Sequence, residues 1–434
     1  MTSSAPASAP VVILGGGFAG LCAAAALDGA VSEIVLVERD VLPDVAEPRR
    51  GVPQGGQLHN LLGRAQASLE ELVPGFVDSL VAAGCAQAVV AQETEVFDVG
   101  QRMPRRDVGL RIVSAPQPTI EHALRTWLRT RPRVTVLDGT SCESVSVDEG
   151  RVTAVQLRSA DGATQDLATS VVVDATGAST RCPIWLRELG ISQKTTTVRS
   201  DQWYVSITLD RPATAIGDPT FYLNFPQERS SRGALLSPSG AGHWCLSVNG
   251  RSDVEAPTTF EGMVSHCRQL GDQGIAEAID GARPIGEPER FRRLVATWRR
   301  FDDLVDPVIG LLPMGDSFAT LNPLFGQGMS VAAWQAVALL RLVGEHGLSF
   351  ASTGALTRAY LARAAECIGA AWDLGVAVEA FFDSVGGEVV GPRFVELLED
   401  DADLHGRYVR MWHLLEPASI LDHHLAERLM AVSG

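Results

Sequence analysis

The sequence predicts an α/β protein in which a parallel sheet wound with helices carries an inserted antiparallel sheet and a helical C-terminal region. Three patterns say so. Val11-Val12-Ile13-Leu14 and Ile34–Val37 are short apolar runs flanking a glycine-punctuated turn and an Ala-rich stretch, Leu21–Leu27. Such runs read as parallel strands buried on both faces, joined by a helix. From about Thr195 to Gly250 the pattern becomes alternating, as in Trp203–Leu209, Thr220–Phe225 and Trp244–Val248. That is the period of antiparallel strands with one face in a core. From about Ala355 the pattern is helical, with breaks at Gly386-Gly387, Gly391-Pro392 and Pro417.

The first apolar run leads into Gly15-x-Gly17-x-x-Gly20, and the second ends on Glu38. Gly15 permits the tight turn out of the strand. Gly17 lets a pyrophosphate approach bare backbone, and Gly20 lets the helix pack close to the strand. Glu38, about 20 residues on, stands where a carboxylate accepts ribose hydroxyls. Strand, glycines, helix and acid together predict a Rossmann-like dinucleotide site. The apolar run Val11–Leu27 could suggest a signal peptide or membrane span. Four glycines interrupt it, and Met1–Pro10 carries no Lys or Arg.

A Pro/Arg/Gly/Gln-rich loop, Pro43–Gln57, follows, and then a helix is expected over Leu58–Leu72. Within it, Gly51-Val-Pro-Gln-Gly-Gly-Gln-Leu-His59 reads either as a connector or as a loop covering a ligand. Strands are expected at Val89–Val99 and Val108–Val113, and a helix after Pro118. Further strands fall at Val134–Leu137, Cys142–Val147 and Val152–Arg158, with a hairpin turn at Asp161-Gly162. Val171–Asp174 is another buried strand, ending in Ala175-Thr176-Gly177. Helices are expected at Thr258–Leu270 and Gly274–Ile279. The run Val308–Gly315 ends on Asp316, and Asn322-Pro323-Leu-Phe-Gly326-Gln-Gly328-Met329 leads into a long helix, Ser330–Val343.

Composition bounds the function. The formal net charge is −16 and the densest basic stretch, Arg290–Arg300, is broken by apolar residues and reads as a solvated face. A nucleic-acid partner is disfavoured. The seven cysteines are scattered without a CxxC, which disfavours zinc, disulfide frameworks and a dithiol redox pair. A reduced cytoplasmic compartment and no transmembrane segment are expected.

Three remote segments are suited to one ligand. The glycine fingerprint with Glu38 would hold the ADP half of a dinucleotide. Asp316 lies at a strand end, where ligands bind in open α/β sheets. Gly326-x-Gly328 opens a helix, whose N–H groups and dipole suit the anionic edge of a reduced flavin. In order and spacing, these motifs and Asp174-Ala-Thr-Gly177 resemble the FAD-dependent monooxygenases of the para-hydroxybenzoate hydroxylase fold, over roughly residues 10 to 345. Asn322–Met329 and Gly51-Val-Pro-Gln…His59 look most like the squalene-epoxidase-like bacterial enzymes that epoxidise polyenes in polyether biosynthesis.

The resemblance implies a Rossmann-like FAD-binding domain with an inserted antiparallel substrate domain and a C-terminal helical region. The expected division is FAD-binding segments at 10–75, 105–190 and 291–345, substrate-domain segments at 76–104 and 191–290, and a helical region at 346–434. Glu38 would bind the adenosine ribose, with Arg39 beside the adenine. Gln117, where many relatives have Arg, would touch the flavin side chain. Arg125 would reach the pyrophosphate, and Asp316 the ribityl chain or pyrophosphate. Pro323, Gly326, Gly328 and Met329 would line the isoalloxazine. Trp203, Phe221, Leu223, Phe225 and Trp244 would line the substrate pocket, unless they are ordinary core.

No second nucleotide fingerprint follows, so reducing equivalents would come from NAD(P)H bound transiently or through a flavin reductase or ferredoxin. Halogenases of this fold need a lysine near the substrate and a Trp-x-Trp-x-Ile-Pro stretch. The sole lysine is Lys194, and no Trp-x-Trp occurs. The expected reaction is epoxidation of an alkene in an apolar polyketide or terpenoid, free or carrier-tethered, by FAD and O2 through a flavin C4a-hydroperoxide. No catalytic side chain is expected, because the cofactor carries the hard step. The alternatives are aromatic hydroxylation, prenyl-chain reduction and a non-catalytic FAD-binding partner.

Overall fold

The computed structural model describes residues 9–52, 55, 57–210, 220–226, 230–240, 242–349, 352–385 and 390–430. A five-stranded parallel sheet runs in the order Leu311–Pro313, Val172–Asp174, Val11–Leu14, Ile34–Val37, Val134–Leu137. Its three central strands are buried along their whole length, as unalternating apolar runs require. The helix Phe18–Leu27 is apolar all round and buried at every position but Ala19. It packs between the sheet and two further helices, Gln117–Arg129 and Gly328–His346. A helix without a polar face has to be enclosed in this way.

The expected helix over Leu58–Leu72 is divided. Leu58–Leu61 is a strand paired antiparallel with Arg111–Pro116, in the register His59↔Ala115, and the helix begins only at Gly63. Long-range pairing decides the first four residues, and no local pattern records it. Pro53, Gln54 and Gly56 of the preceding loop lie outside the described residues, as does the expected break at Gly386-Gly387.

The alternating segments build an eight-stranded sheet: Ala319–Thr320, Arg283–Arg299, Thr195–Asp210, His243–Gly250, Gly233–Gly240, Phe221–Asn224, Thr94–Asp98, Gln101–Arg102. One face carries Trp203, Val205, Ile207, Leu209, Trp244 and Leu246, which form a core with residues of the helices Phe260–Cys267 and Gly274–Ala278. The stretch Arg290–Arg300 is not simply a solvated face. Most of it belongs to the longest strand of this sheet, and two of its arginines turn inward, as described below.

The C-terminal region forms the helices Thr353–Val385, Gly391–Asp400, Ala402–Trp412 and His423–Met430. Hydrogen bonds tie it back to the start of the Gly63–Leu72 helix: Gly63 N donates to His413 Nδ1 (2.9 Å) and Arg64 Nε to the Leu414 carbonyl (2.9 Å). Among the described residues no helix is long and apolar enough to cross a membrane.

Candidate functional site

A cavity of about 1010 Å³ lies where the carboxyl ends of the parallel strands meet the eight-stranded sheet. Its wall takes residues at or just past the ends of four of the five parallel strands, Leu14-Gly15, Val37-Glu38, Ala175–Ser179 and Gly315-Asp316, and Thr140, which starts the strand after the fifth. This crevice is where open α/β sheets bind ligands, and its volume is at the upper end for small-molecule sites.

The glycines divide by role. Gly15 has φ +101°, and a Cβ there would overlap the Ala175 carbonyl. A Cβ on Gly20 would overlap the Gly15 carbonyl. Both positions are fixed by packing. A Cβ on Gly17 would meet only Arg49 Nη2 (3.4 Å) and Glu121 Oε1 (3.7 Å), so its open side faces the cavity.

Beside Gly17 stands a buried charge cluster. Glu38 Oε2 accepts from Gly16 N (2.7 Å) and pairs with Arg49 Nη1 (3.0 Å), while Oε1 accepts from Asp40 N (2.9 Å). A carboxylate has about four acceptor places, so room remains for a ribose hydroxyl. Arg49 also reaches Asp40 Oδ2 (3.4 Å) and Glu121 Oε2 (3.3 Å). Burial works against its charge, but Glu121 and Glu38 more than offset that and raise its pKa. Arg39, expected beside an adenine, lies on the cavity wall with its side chain 67% exposed.

Gln117 starts its helix on the wall. Its Nε2 donates to Glu121 Oε1 (2.9 Å), and its buried Oε1 has no protein partner. Arg125 does not line the cavity. It lies two turns further along the same helix face, buried, with Nη1 3.7 Å from Glu121 Oε2. Arg49, from the loop, occupies the place beside Gly17 that Arg125 was expected to serve.

Asp174 is fully buried and braces the turns. It accepts from Thr176 N (3.0 Å), Thr176 Oγ1 (2.6 Å), Ser317 Oγ (3.2 Å) and Thr180 Oγ1. Asp316 lies on the wall, paired with Arg293 Nη2 (3.3 Å), while Arg299 Nη1 donates to the Asp316 carbonyl (3.0 Å). Desolvation raises the Asp316 carboxyl, opposed by Arg293 and Arg299. Pro323, Gly326, Gly328 and Met329 all face the cavity. Gly326 takes φ +62°, and nothing lies within 4 Å of where a Gly328 Cβ would be. The first N–H groups of the Gly328–His346 helix lack intrahelical acceptors.

On the opposite wall, Phe221, Leu223 and Phe225 line the cavity, but Trp203 and Trp244 do not. The reason is strand parity. Trp203 and Trp244 point into the core behind the sheet, where the Trp203 indole donates to the Arg251 and Val254 carbonyls (both 2.9 Å). Their neighbours Tyr204 and Cys245 face the cavity, with Ser247 and Asn249. The expectation chose the wrong parity in these two strands.

His59 Nδ1 lies 3.0 Å from the Gln57 carbonyl, so that nitrogen carries the hydrogen and Nε2 is left as an acceptor. Burial lowers its pKa to about 4, against the pull of that bond. Burial likewise lowers His405 and His413 to about 4. All three line the cavity.

Sequence reasoning missed Arg49, Glu121, Arg293 and the wall residues of the Ala402–Trp412 helix. Only Arg49 carried a local signal, as half of the Arg49-Arg50 pair directly before Gly51-Val-Pro-Gln. The wall fits FAD. It has an open glycine turn for a pyrophosphate, a carboxylate with spare capacity for a ribose, an orphaned amide oxygen on Gln117 and an open helix start.

Comparison with known proteins agrees with this fit. Residues 8–365 match a family described as FAD binding domain. The Mycobacterium tuberculosis protein Rv3254 is 31% identical over 346 residues, covering 76% of this chain and 72% of that one. The flavin-dependent brominase Bmp2 superposes with a TM-score of 0.70 at 14% identity, covering 97% and 98% of the two chains. PqsL, a probable FAD-dependent monooxygenase from Pseudomonas aeruginosa, superposes with a TM-score of 0.62 at 19% identity, covering 86% and 95%.

Proposed function

Because the chain belongs to the FAD binding domain family, we propose that it is a flavin-dependent monooxygenase that epoxidises an alkene of an apolar polyketide or terpenoid. One observation carries the reading: a single cavity runs from the glycine turn and Glu38 to a wall of Phe221, Leu223, Phe225 and Trp412. FAD, when bound, supplies the activation of O2. The chain's own residues do the rest. The Gly15–Gly20 turn and Arg49 receive the pyrophosphate, Glu38 the ribose, and Asp316 the ribityl chain. Gln117 and the start of the Gly328–His346 helix orient the flavin. The aromatic wall holds the alkene and excludes water, so the work of the protein is positioning and desolvation.

Halogenation is less well supported. Lys194, the chain's single lysine, is exposed and off the cavity wall. The reductant would be NAD(P)H, directly or through a flavin reductase or ferredoxin.

The test starts with the absorbance spectrum of the purified protein and proceeds to turnover of a polyene with reductant. The proposal expects O2 uptake matched by a product heavier by one oxygen, with an oxirane at a former double bond. A phenol from an aromatic substrate would make the chain a ring hydroxylase. Hydrogen addition without O2 uptake would make it a reductase, and either result would overturn epoxidation.

A further inference from the structure

We infer that Asp98 and Tyr408 form a hydroxyl-recognition site in the apolar wall, which takes the O–H of an alcohol or phenol on the substrate. The inference deepens the monooxygenase reading and rests on it only in calling the bound molecule a substrate.

The strand Thr94–Asp98 turns alternate residues, Thr94, Val96 and Asp98, into the cavity. It runs parallel to Phe221–Asn224 in the register Thr94↔Phe221 and Val96↔Leu223, and Phe225 N donates to the Phe97 carbonyl (3.0 Å). Two rows therefore lie side by side, one ending at Asp98 and the other at Phe225. The Thr94 hydroxyl already accepts from Ala91 N (2.8 Å), which leaves Asp98 as the ionisable end of an otherwise apolar row.

The Asp98 carboxylate is lightly held. Oδ1 accepts from Val99 N (2.9 Å), and Oδ2 lies 3.4 Å from the Tyr408 hydroxyl, a long contact for an O–H donor. These use two of about four acceptor places. Among the described residues no cationic side chain pairs with it. Burial pushes the carboxyl up to about 6, so it is mostly ionised at neutral pH. Even half-buried, a carboxylate short of donors is costly, and an incoming O–H relieves that cost.

Tyr408 sets the direction of the bond. Its own pKa is held well above the ordinary value by burial and by Asp98, so it stays a donor. The Trp412 ring packs edge to face against that of Tyr408 (centroids 6.3 Å, 86°). Trp412 in turn stacks on Phe225 (centroids 5.5 Å, 28°) and contacts Phe325 (5.4 Å). The corner thus joins the antiparallel sheet to the Pro323–Gly328 turn through rings. An alcohol or phenol brings one donor, which one carboxylate can satisfy. An ammonium would pair with the same carboxylate, so an amine probe tells a cation site from a hydroxyl site. Tyr408 and Trp412 also lie beyond residue 365, outside the stretch matched by the family, where specificity of this chain's own would reside.

The test is calorimetric titration of the protein as purified, without reductant, using farnesol, farnesyl methyl ether and farnesylamine. The ether keeps the chain and the oxygen but removes the donor. Farnesol is expected to bind about tenfold or more tighter than the ether, as a bond to a charged acceptor implies. Asp98→Leu should bring that ratio near unity. Asp98→Asn keeps a carbonyl acceptor and should retain part of it, which separates loss of recognition from loss of fold. Equal or absent binding of both probes by the parent overturns the inference. So does an unchanged preference in Asp98→Leu, or tighter binding of farnesylamine than of farnesol. Oxygen uptake, measured separately with reductant, distinguishes the two claims. A hydroxyl preference without uptake leaves this site standing and removes the monooxygenase reading, and uptake without preference does the reverse.

Discussion

Replacing Arg49 by methionine should be the most informative single change in the cofactor half of the cavity. The guanidinium is 7% exposed and contacts three carboxylates with exposures of 8%, 15% and 3%: Glu38 at 3.0 Å, Asp40 at 3.4 Å and Glu121 at 3.3 Å. Arg125 is the remaining buried cation and reaches Glu121, at 3.7 Å, while the largely exposed Arg39 reaches Asp40, at 3.9 Å. Methionine keeps much of the length and apolar bulk but leaves three acids facing one buried base and one exposed one. Removing one member of a buried ion pair costs about 3–5 kcal/mol, because the partner stays behind uncompensated. Arg49→Lys restores the charge without the planar fork that lets one group bridge several acids. It should lose about 1–3 kcal/mol, the cost of the buried acceptors it leaves unpaired. Urea unfolding followed by circular dichroism measures both variants in the flavin-free protein. FAD titration of the folded variants should show weaker binding in the same order, since Arg49 stands beside the Gly17 backbone. An Arg49→Met protein within about 1 kcal/mol of the parent would refute the argument, because the cluster would then have to be hydrated.

Further outcomes follow from the same geometry. Gly17→Val should fold, since its Cβ meets only side-chain ends, yet lose FAD; normal flavin content in that variant would remove the pyrophosphate assignment. Gly20→Ala should fail to fold, because its Cβ overlaps the Gly15 carbonyl. Asp316→Ala should weaken FAD binding with the far-ultraviolet spectrum unchanged, and equal FAD affinity would count against a ribityl contact. His405 and His413 have folded pKa values of about 4, below the ordinary 6.5. The unfolded chain therefore binds protons that the folded chain refuses between pH 6.5 and 4. Stability should fall as the pH drops through that window, by up to about 3 kcal/mol for each histidine. His413 Nδ1 accepts the Gly63 N–H, so His413→Asn should keep an acceptor and flatten the pH slope. A slope identical to the parent's in urea midpoints would exclude His413 as its source.

What could be read from the chain alone was whatever local chemistry dictates. Apolar runs without alternation had to be buried strands, and Gly15–Gly20 between a strand and an Ala-rich helix had to leave backbone open to an anion. Gly326 and Gly328 opened a helix for the same reason, and Gly15, Gly17, Gly326 and Gly328 stand on one cavity wall. The alternating segments were legible as strands, but their inward parity was not. Period two says which residues share a face and leaves open which face meets the ligand. Helices packed behind the sheet decided that, sending Trp203 and Trp244 to the rear core and Tyr204 and Cys245 to the cavity. Pairing across the chain likewise turned Leu58–Leu61 into a strand. Arg49 with Glu121, Arg293 with Asp316, and Asp98 with Tyr408 are separated by 72, 23 and 310 positions. No spacing rule links such partners. They meet only because the sheets and the C-terminal helices are folded together.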